Sequence, residues 1–256
     1  MMIGTQRLRA KLEAAEPVLG MMINFDSLWF VDMLALSGFD FIMLDGEHGV
    51  LNPAQCEIML RAAHSGGLSV LARAPNDPHE IQRFLDMGTE GVFVPHVQSV
   101  QDAQAAGAAM KYPPLGSRGL TTITRAANYG IDIHPRDFVA ATNAQIICGA
   151  MVETVAGVEQ IDAIAASPAV DAILIGSGDL AASMGLPGER KHPDVLAASR
   201  KVTERARAHG KWIAHAASDA QGARQAFAEG AHMVIAPAMA MVVGAGRGFV
   251  SHAKDI

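Results

Sequence analysis

The chain predicts an α/β fold, a (β/α)8 or TIM barrel, on three observations. An apolar strand followed by an amphipathic helix recurs eight times along the 256 residues. The strands are apolar almost throughout, which implies burial on both faces, as in a parallel sheet. Several of them then end on an ionisable residue, and the carboxyl ends of the strands are where a barrel assembles its active site. The main competitor is a doubly wound open sheet. That fold calls for a glycine-rich phosphate turn after an early strand, and no such turn is present.

Gln6 to Glu13 forms a charged amphipathic helix ahead of the first strand, Pro17 to Asn24. A helix from about Ser27 to Leu36 follows, closed by Gly38, and the second strand runs from Phe39 to Asp45. Asn52, Pro53 and Gln55 then combine an N-cap, a proline at the first helical position and a capping glutamine. That helix stops at Gly66 and Gly67. The third strand is Leu68 to Arg73. Asp77 and Pro78 open the next helix, which carries Ile81, Phe84 and Leu85 on one face and ends at Gly88. The fourth strand, Gly91 to Val97, leads to a helix capped at Ser99.

There the rhythm breaks. Residues 112–135 make a long connection with one short helix near Pro135 to Ala141, and excursions of this length are usually lids or contact loops. Strand five is Ile146 to Glu153, with a helix from Val155 to Ala166; strand six is Val170 to Gly176. A second excursion, Leu180 to Pro193, precedes a helix through His209. Strand seven is Lys211 to Ala216. Ser218 and Gln221 cap the next helix, Gly230 ends it, and strand eight is Ala231 to Pro237. The glycines from Gly244 to Gly248 leave a weak final helix.

Composition narrows the function. Hydrophobic residues make up 50% and charged residues 18%, ample for one large core, so residues 1–256 are expected to form one barrel domain. The formal charge of −6, with no long basic run, argues against nucleic acid. No apolar run is long enough to span a membrane, and the charged opening helix is unlike a signal peptide. Cys56 and Cys148 read as free thiols in a reducing compartment, which points to the cytoplasm.

The strand ends supply Asp45, Glu47 and His48 after strand two, Arg73 on strand three, Glu153 on strand five and Asp179 after strand six. Two carboxylates with open positions suit a hard divalent cation, Mg2+ or Mn2+, completed by water and substrate oxygens. A 2-oxo acid is the natural chelator for such a site, and the ion would stabilise its enolate. Arg73 would place a fixed positive charge beside the developing oxyanion. His48 carries the one nearby group whose ordinary pKa suits proton transfer at neutral pH. Each residue also has a structural reading. Glu153 could cap the helix beginning at Thr154 or Val155, and Asp179 could be an N-cap. Arg73 could pair with Asp45 or Glu47, and His48 could be a plain loop histidine. His96 and His215 read as lining or core residues. The catalytic reading rests on all four lying at one end of one barrel.

These motifs resemble the HpcH/HpaI family of metal-dependent 2-oxo acid aldolases. The pieces are Asp45-Gly-Glu-His48, Arg73 with Asn76-Asp77-Pro78, Tyr112-Pro-Pro-Leu-Gly-Ser-Arg-Gly119, Val152-Glu-Thr154 and Gly176-Ser-Gly-Asp-Leu180. The resemblance implies a barrel whose last helix is swapped between subunits of a dimer-based hexamer. It implies reversible retro-aldol cleavage of a hydroxylated 2-oxo acid to an aldehyde and pyruvate, or a close relative such as hydroxypyruvate. Glu153 and Asp179 would hold the metal (Mg2+ or Mn2+, with Co2+ a further candidate), Arg73 would stabilise the enolate, and His48 would be the base. Ser177 and Gly178 would offer backbone N–H groups to the substrate carboxylate, beside Arg73 and Asp179. An aspartate raises the basicity of the family's histidine. The matching position is Asp86, and Asp45, closer in sequence to His48, is the alternative. Two positions depart from the family pattern. Met151 stands where a glutamine is frequent, and Gly176-Ser-Gly-Asp179 replaces the common Gly-Pro-Ala-Asp turn. A related acyl-CoA lyase is the second reading, with Arg118 and Arg125 as candidate phosphate contacts. A non-catalytic metabolite-binding barrel is the third.

Overall fold

The computed structural model describes residues 7–254. The Gln6 end of the expected first helix, and both limits of the expected domain, lie outside the described residues. The elements run α1 (Arg7–Glu13), β1 (Val18–Ile23), α2 (Leu28–Leu36), β2 (Phe41–Asp45), α3 (Pro53–Ser65), β3 (Ser69–Arg73), α4 (Pro78–Met87), β4 (Gly91–Val94) and α5 (Val100–Met110). An irregular 3-10 segment (Arg125–Gly130) precedes α6 (Pro135–Gln145), β5 (Ile147–Val152), α7 (Val155–Glu159), α8 (Ile161–Ala166) and β6 (Ala172–Ile175). The remainder is α9 (Ser177–Ser183), α10 (Pro193–Ala208), β7 (Trp212–Ala216), α11 (Ala220–Ala228), β8 (Met233–Pro237) and α12 (Ala238–Lys254). The strands are parallel and close in sequence order, with β8 returning to β1. This is the expected (β/α)8 barrel.

Register decides what meets at the carboxyl end. Asp45 pairs directly with Arg73 across β2 and β3, and Val152 with Ile175 across β5 and β6, which sets Glu153 beside Gly176. Inside the barrel, Phe41, Met43, Leu71, Phe93 and Met151 pack as one cluster, to which α1 adds Leu8 and Leu12. The helix α1 is the floor. Its Leu8 N–H donates to Glu90 Oε2 (3.2 Å), and the Arg9 guanidinium lies over the Trp212 ring and donates to the Gln145 and Ile146 carbonyls. Burial pushes the Glu90 carboxyl up to about 7, because the ionised form loses its hydration there. Between strands and helices lies a larger apolar shell that includes Ile42, Leu60, Val70, Ile81 and Ile173. Cys56 and Cys148 are buried free thiols. No helix among the described residues is long and apolar enough to cross a membrane.

Several local signals act as expected. Asn52 and Gln55 form a reciprocal capping box, and Asp77 accepts from the His79 and Glu80 N–H groups. Other elements differ from the sequence reading. Asp219, not Ser218, caps α11, accepting from the Gly222 N–H. The expected helix from 155 to 166 breaks at Gln160 into α7 and α8. The final helix, α12, runs for 17 residues through Gly244, Gly246 and Gly248. It leaves Met239, Val242, Phe249 and Val250 exposed. The helix α2 likewise presents Trp29 (83% exposed) and Leu36 (90%).

Candidate active site

Asp45 ends β2 and organises the first half of the site. Its carboxylate accepts from Arg73 Nε (2.9 Å) and Nη2 (2.6 Å), a bidentate pair, and both residues are buried. Asp45 Oδ1 also accepts from the backbone N–H groups of Glu47 and His48, each at 3.1 Å, so one carboxylate fixes both the arginine and the turn that follows. Glu47 Oε2 lies 3.2 Å from Arg73 Nη1. A guanidinium has five N–H donors; three are taken by these contacts, leaving one on each terminal nitrogen. Burial opposes the Arg73 charge, but the Asp45 hydrogen bonds and the charges of Asp45, Glu47 and Glu153 outweigh it and raise the pKa.

Glu153 organises the other half. It follows β5 and is 1% exposed. It does not cap the next helix, because Thr154 does so, its hydroxyl accepting from the Gly157 N–H. Glu153 Oε1 instead accepts from the His96 backbone N–H (2.7 Å) and lies 3.2 Å from His96 Nδ1. His96 holds this position in a left-handed backbone (φ 54°), which turns its N–H and ring toward the same oxygen. Across the strand pair, a β-carbon at Gly176 would overlap the Glu153 carboxylate, so only glycine fits. Asp179 is not the N-cap that one reading allowed. It sits in the first turn of α9, after Gly176. The first intrahelical bond is Leu180 N–H to Gly176 C=O, so the Ser177 and Gly178 N–H groups precede the ladder and face no helical acceptor.

Burial pushes the Glu153 carboxyl up. His96 pulls it down, and the negative charges of Asp179 and Glu47 push it up again. Crowded carboxylates of this kind are relieved by a cation, so the donor chemistry fits a hard divalent ion. Among the described residues, no group of three or more His, Cys, Asp or Glu is placed to hold a metal. The carboxylates lining this space that could hold an ion are Glu153 and Asp179.

A cavity of about 150 Å3 joins these parts, lined by Arg73, Glu153, Ser177, Gly178 and Asp179, with Met151 on its floor side. Its opposite wall is Met22 from β1, Ala216 from β7, and Ile235 and Pro237 from β8. His48 is not among the lining residues. Its side chain is 65% exposed, with Nε2 3.9 Å from Glu47 Oε2, and Glu47 in turn lies 3.6 Å from His96 Nε2. Asp86, in the last turn of α4, accepts from Arg118 Nη2 (2.5 Å), and Arg118 lies over the Tyr112 ring. Asp45 reaches His48 through its backbone N–H rather than its ring. Arg73, Glu153, Ser177, Gly178 and Asp179 are thus brought together, His48 is linked through Glu47, and Asp86 is engaged elsewhere.

The sequence offered Glu47 as a structural partner of Arg73, which it is, and left His96 as lining, although His96 holds the buried Glu153. Glu47 stood among the strand-end acids, so its position was available. Nothing in the residue type of His96 announces a left-handed backbone.

Comparison with known proteins agrees with this geometry. The family model for HpcH/HpaI aldolase/citrate lyase matches residues 19–239. A hydroxypyruvate/pyruvate aldolase of Sagittula stellata is 37% identical over 75% of this chain and 75% of its own. A 5-keto-4-deoxy-D-glucarate aldolase of Shigella dysenteriae is 34% identical over 89% of this chain and 88% of its own. A solved HpcH/HpaI aldolase/citrate lyase family protein of Burkholderia cenocepacia superposes with a TM-score of 0.90 at 29% identity, covering 98% of this chain and all (100%) of that one. The chain belongs to the HpcH/HpaI aldolase/citrate lyase family of carbon–carbon lyases.

Proposed function

We propose that this chain is a metal-dependent class II aldolase that reversibly cleaves a hydroxylated 2-oxo acid to an aldehyde and pyruvate, or a close relative such as hydroxypyruvate. The observation that carries this reading is one small cavity lined by a buried carboxylate, a second carboxylate and a pre-paired arginine. Glu153 and Asp179 would hold a divalent ion (Mg2+, Mn2+ or Co2+), which would supply Lewis-acid stabilisation of the enolate. The Ser177 and Gly178 N–H groups hold the substrate carboxylate. The two remaining Arg73 N–H groups meet the charge that grows on the former ketone oxygen. His48 takes the proton of the substrate hydroxyl as the carbon–carbon bond breaks and the aldehyde leaves; return of that proton to the enolate carbon then gives pyruvate and restores the base. Within one subunit neither Asp86, held by Arg118, nor Asp45, which meets the His48 backbone N–H, lies at ion-pair distance from the His48 ring; Glu47 is the carboxylate beside it.

The acyl-CoA alternative loses its candidate phosphate contacts. Arg118 is buried against Asp86, and Arg125 is buried with its guanidinium on His64 and the Met87 carbonyl.

The first test is exchange of the methyl protons of pyruvate into D2O, followed by NMR. Exchange is expected to stop in EDTA-treated protein and return with Mg2+ or Mn2+. If neither pyruvate nor hydroxypyruvate exchanges with any of the three metals, the enolate mechanism is wrong.

The assembly follows the same reading: α12 is exchanged between subunits in a dimer-based hexamer. Two apolar faces on α2 and α12 support it, since such patches mark contact surfaces. Beside α12 lies an open groove of about 320 Å3 lined by Leu19, Phe39, Phe227, Val234 and Met241. Sedimentation is expected to show a hexamer that falls apart when residues 238–256 are removed. A full-length chain that sediments as a monomer overturns this.

A further inference from the structure

The two halves of the site come from strands that β4 separates. Asp45, Glu47, His48 and Arg73 belong to the ends of β2 and β3, Glu153 and Asp179 to those of β5 and β6. His96 stands between them, two residues beyond the end of β4 at Val94. The backbone around it is pinned on both sides. The Ala74 N–H donates to the Phe93 carbonyl (3.2 Å), and the Val97 N–H donates to the Met151 carbonyl (3.1 Å).

The His96 ring faces a carboxylate with each nitrogen. Nδ1 lies 3.2 Å from Glu153 Oε1, and Nε2 lies 3.6 Å from Glu47 Oε1. The other Glu47 oxygen, Oε2, meets Arg73 Nη1 (3.2 Å) and His48 Nε2 (3.9 Å). One run of contacts therefore joins His48 and Arg73 to Glu153 by way of Glu47 and His96. Among the described residues, no other side chain pairs with a carboxylate of each half. Packing does not account for the ring, because 56% of the side chain is exposed. Nor does the backbone ask for one: at φ 54° glycine is the easiest residue to place. What the ring gains at this position is its two carboxylates, and an imidazole has a nitrogen for each.

We propose that His96 is a positioning residue that fixes the metal-site carboxylate relative to the Arg73 and His48 half of the site. Its Nδ1 adds a second contact to Glu153 Oε1, which the His96 backbone N–H already holds (2.7 Å). That leaves Oε2, the oxygen against Gly176, for a cation. Its Nε2 steadies Glu47, and through Glu47 the Arg73 guanidinium and the His48 ring. Hydrogen-bond partners of metal ligands typically matter by about 10–100-fold in metal affinity or activity. The inference rests on the proposed metal-dependent reaction.

The variant that tests it is His96→Gly. Glycine suits the left-handed backbone and keeps the N–H that donates to Glu153, so the ring alone is removed. The melting temperature should hold. Mn2+ affinity, followed by electron paramagnetic resonance without substrate, is expected to fall tenfold or more, and pyruvate exchange at saturating Mn2+ is expected to fall tenfold or more as well. Imidazole added at a concentration that leaves the wild-type rate unchanged should restore part of both. Glu47→Gln tests the second contact: the double variant should lose less exchange than the product of the two single losses. Losses that simply multiply would leave His96 a partner of Glu153 alone and overturn the bridge. Wild-type affinity and exchange in His96→Gly overturn the inference outright. A loss that comes with a lowered melting temperature and is not restored by imidazole overturns it too, because the ring would then be merely structural. If the wild-type enzyme binds Mn2+ but exchanges no pyruvate, the aldolase reading fails, and the Mn2+ affinity of His96→Gly still decides the role of His96.

Discussion

Glu153→Gln is expected to lower metal-supported proton exchange of pyruvate at least a hundredfold without unfolding the barrel. The side chains are the same size, and the amide oxygen can still accept the His96 N–H that Glu153 accepts now. What disappears is the charge. An ion left on Asp179 alone would have one anionic protein ligand instead of two, and a hundredfold corresponds to about 2.7 kcal/mol of barrier. Removing a buried carboxylate whose pKa is raised by burial also removes a strain on the folded state, so the melting temperature should hold or rise. Binding of Mn2+, followed by electron paramagnetic resonance, gives a readout that does not depend on turnover. A folded Glu153→Gln protein with full exchange and unchanged Mn2+ affinity would remove Glu153 from the metal site.

Arg73 needs more care, because it has two duties. Arg73→Ala strands the buried Asp45 carboxylate, and breaking a buried pair by removing one partner typically costs about 3–5 kcal/mol of stability. Lost activity in that variant alone would therefore be ambiguous. The double variant Asp45→Asn/Arg73→Ala separates the duties: most of the stability should return, while exchange stays down by roughly a hundredfold or more. Arg73→Lys should fold with a single-point contact in place of the bidentate pair and lose kcat more than KM, as expected of a charge acting on the enolate. If its loss falls on KM alone, Arg73 is a carboxylate binder and the enolate is stabilised elsewhere.

How much of this could be read from the chain depends on the kind of signal. Runs such as Phe41–Asp45 and Ala172–Ile175 are continuous apolar strands, and they announce a parallel sheet because no other setting buries both faces. Strand ends then identify Asp45, Arg73, Glu153 and Asp179 without any coordinates, since the fold itself fixes which end gathers them. Caps with reciprocal hydrogen bonds, as at Asn52, were legible for the same reason: the signal is local. What escaped was set by distant neighbours. His96 takes its left-handed backbone from its place beside Glu153, and Arg190 lies in a connection with no periodicity, so only the folded chain reveals that it covers Gly178. The extent of α12 was not legible either, because its three glycines lower intrinsic helix propensity, which does not by itself decide where a helix ends.

The reaction cavity has two unlike walls. Every ionisable group at its centre follows β2 to β6, while the facing wall is Met22, Ala216, Ile235 and Pro237 from β1, β7 and β8. That separation has a consequence for inheritance. Substitutions on the apolar wall change the shape offered to the departing aldehyde, yet touch neither the arginine pair nor the two carboxylates. A change of aldehyde is therefore open to single substitutions on that wall which leave the charged half of the site in place.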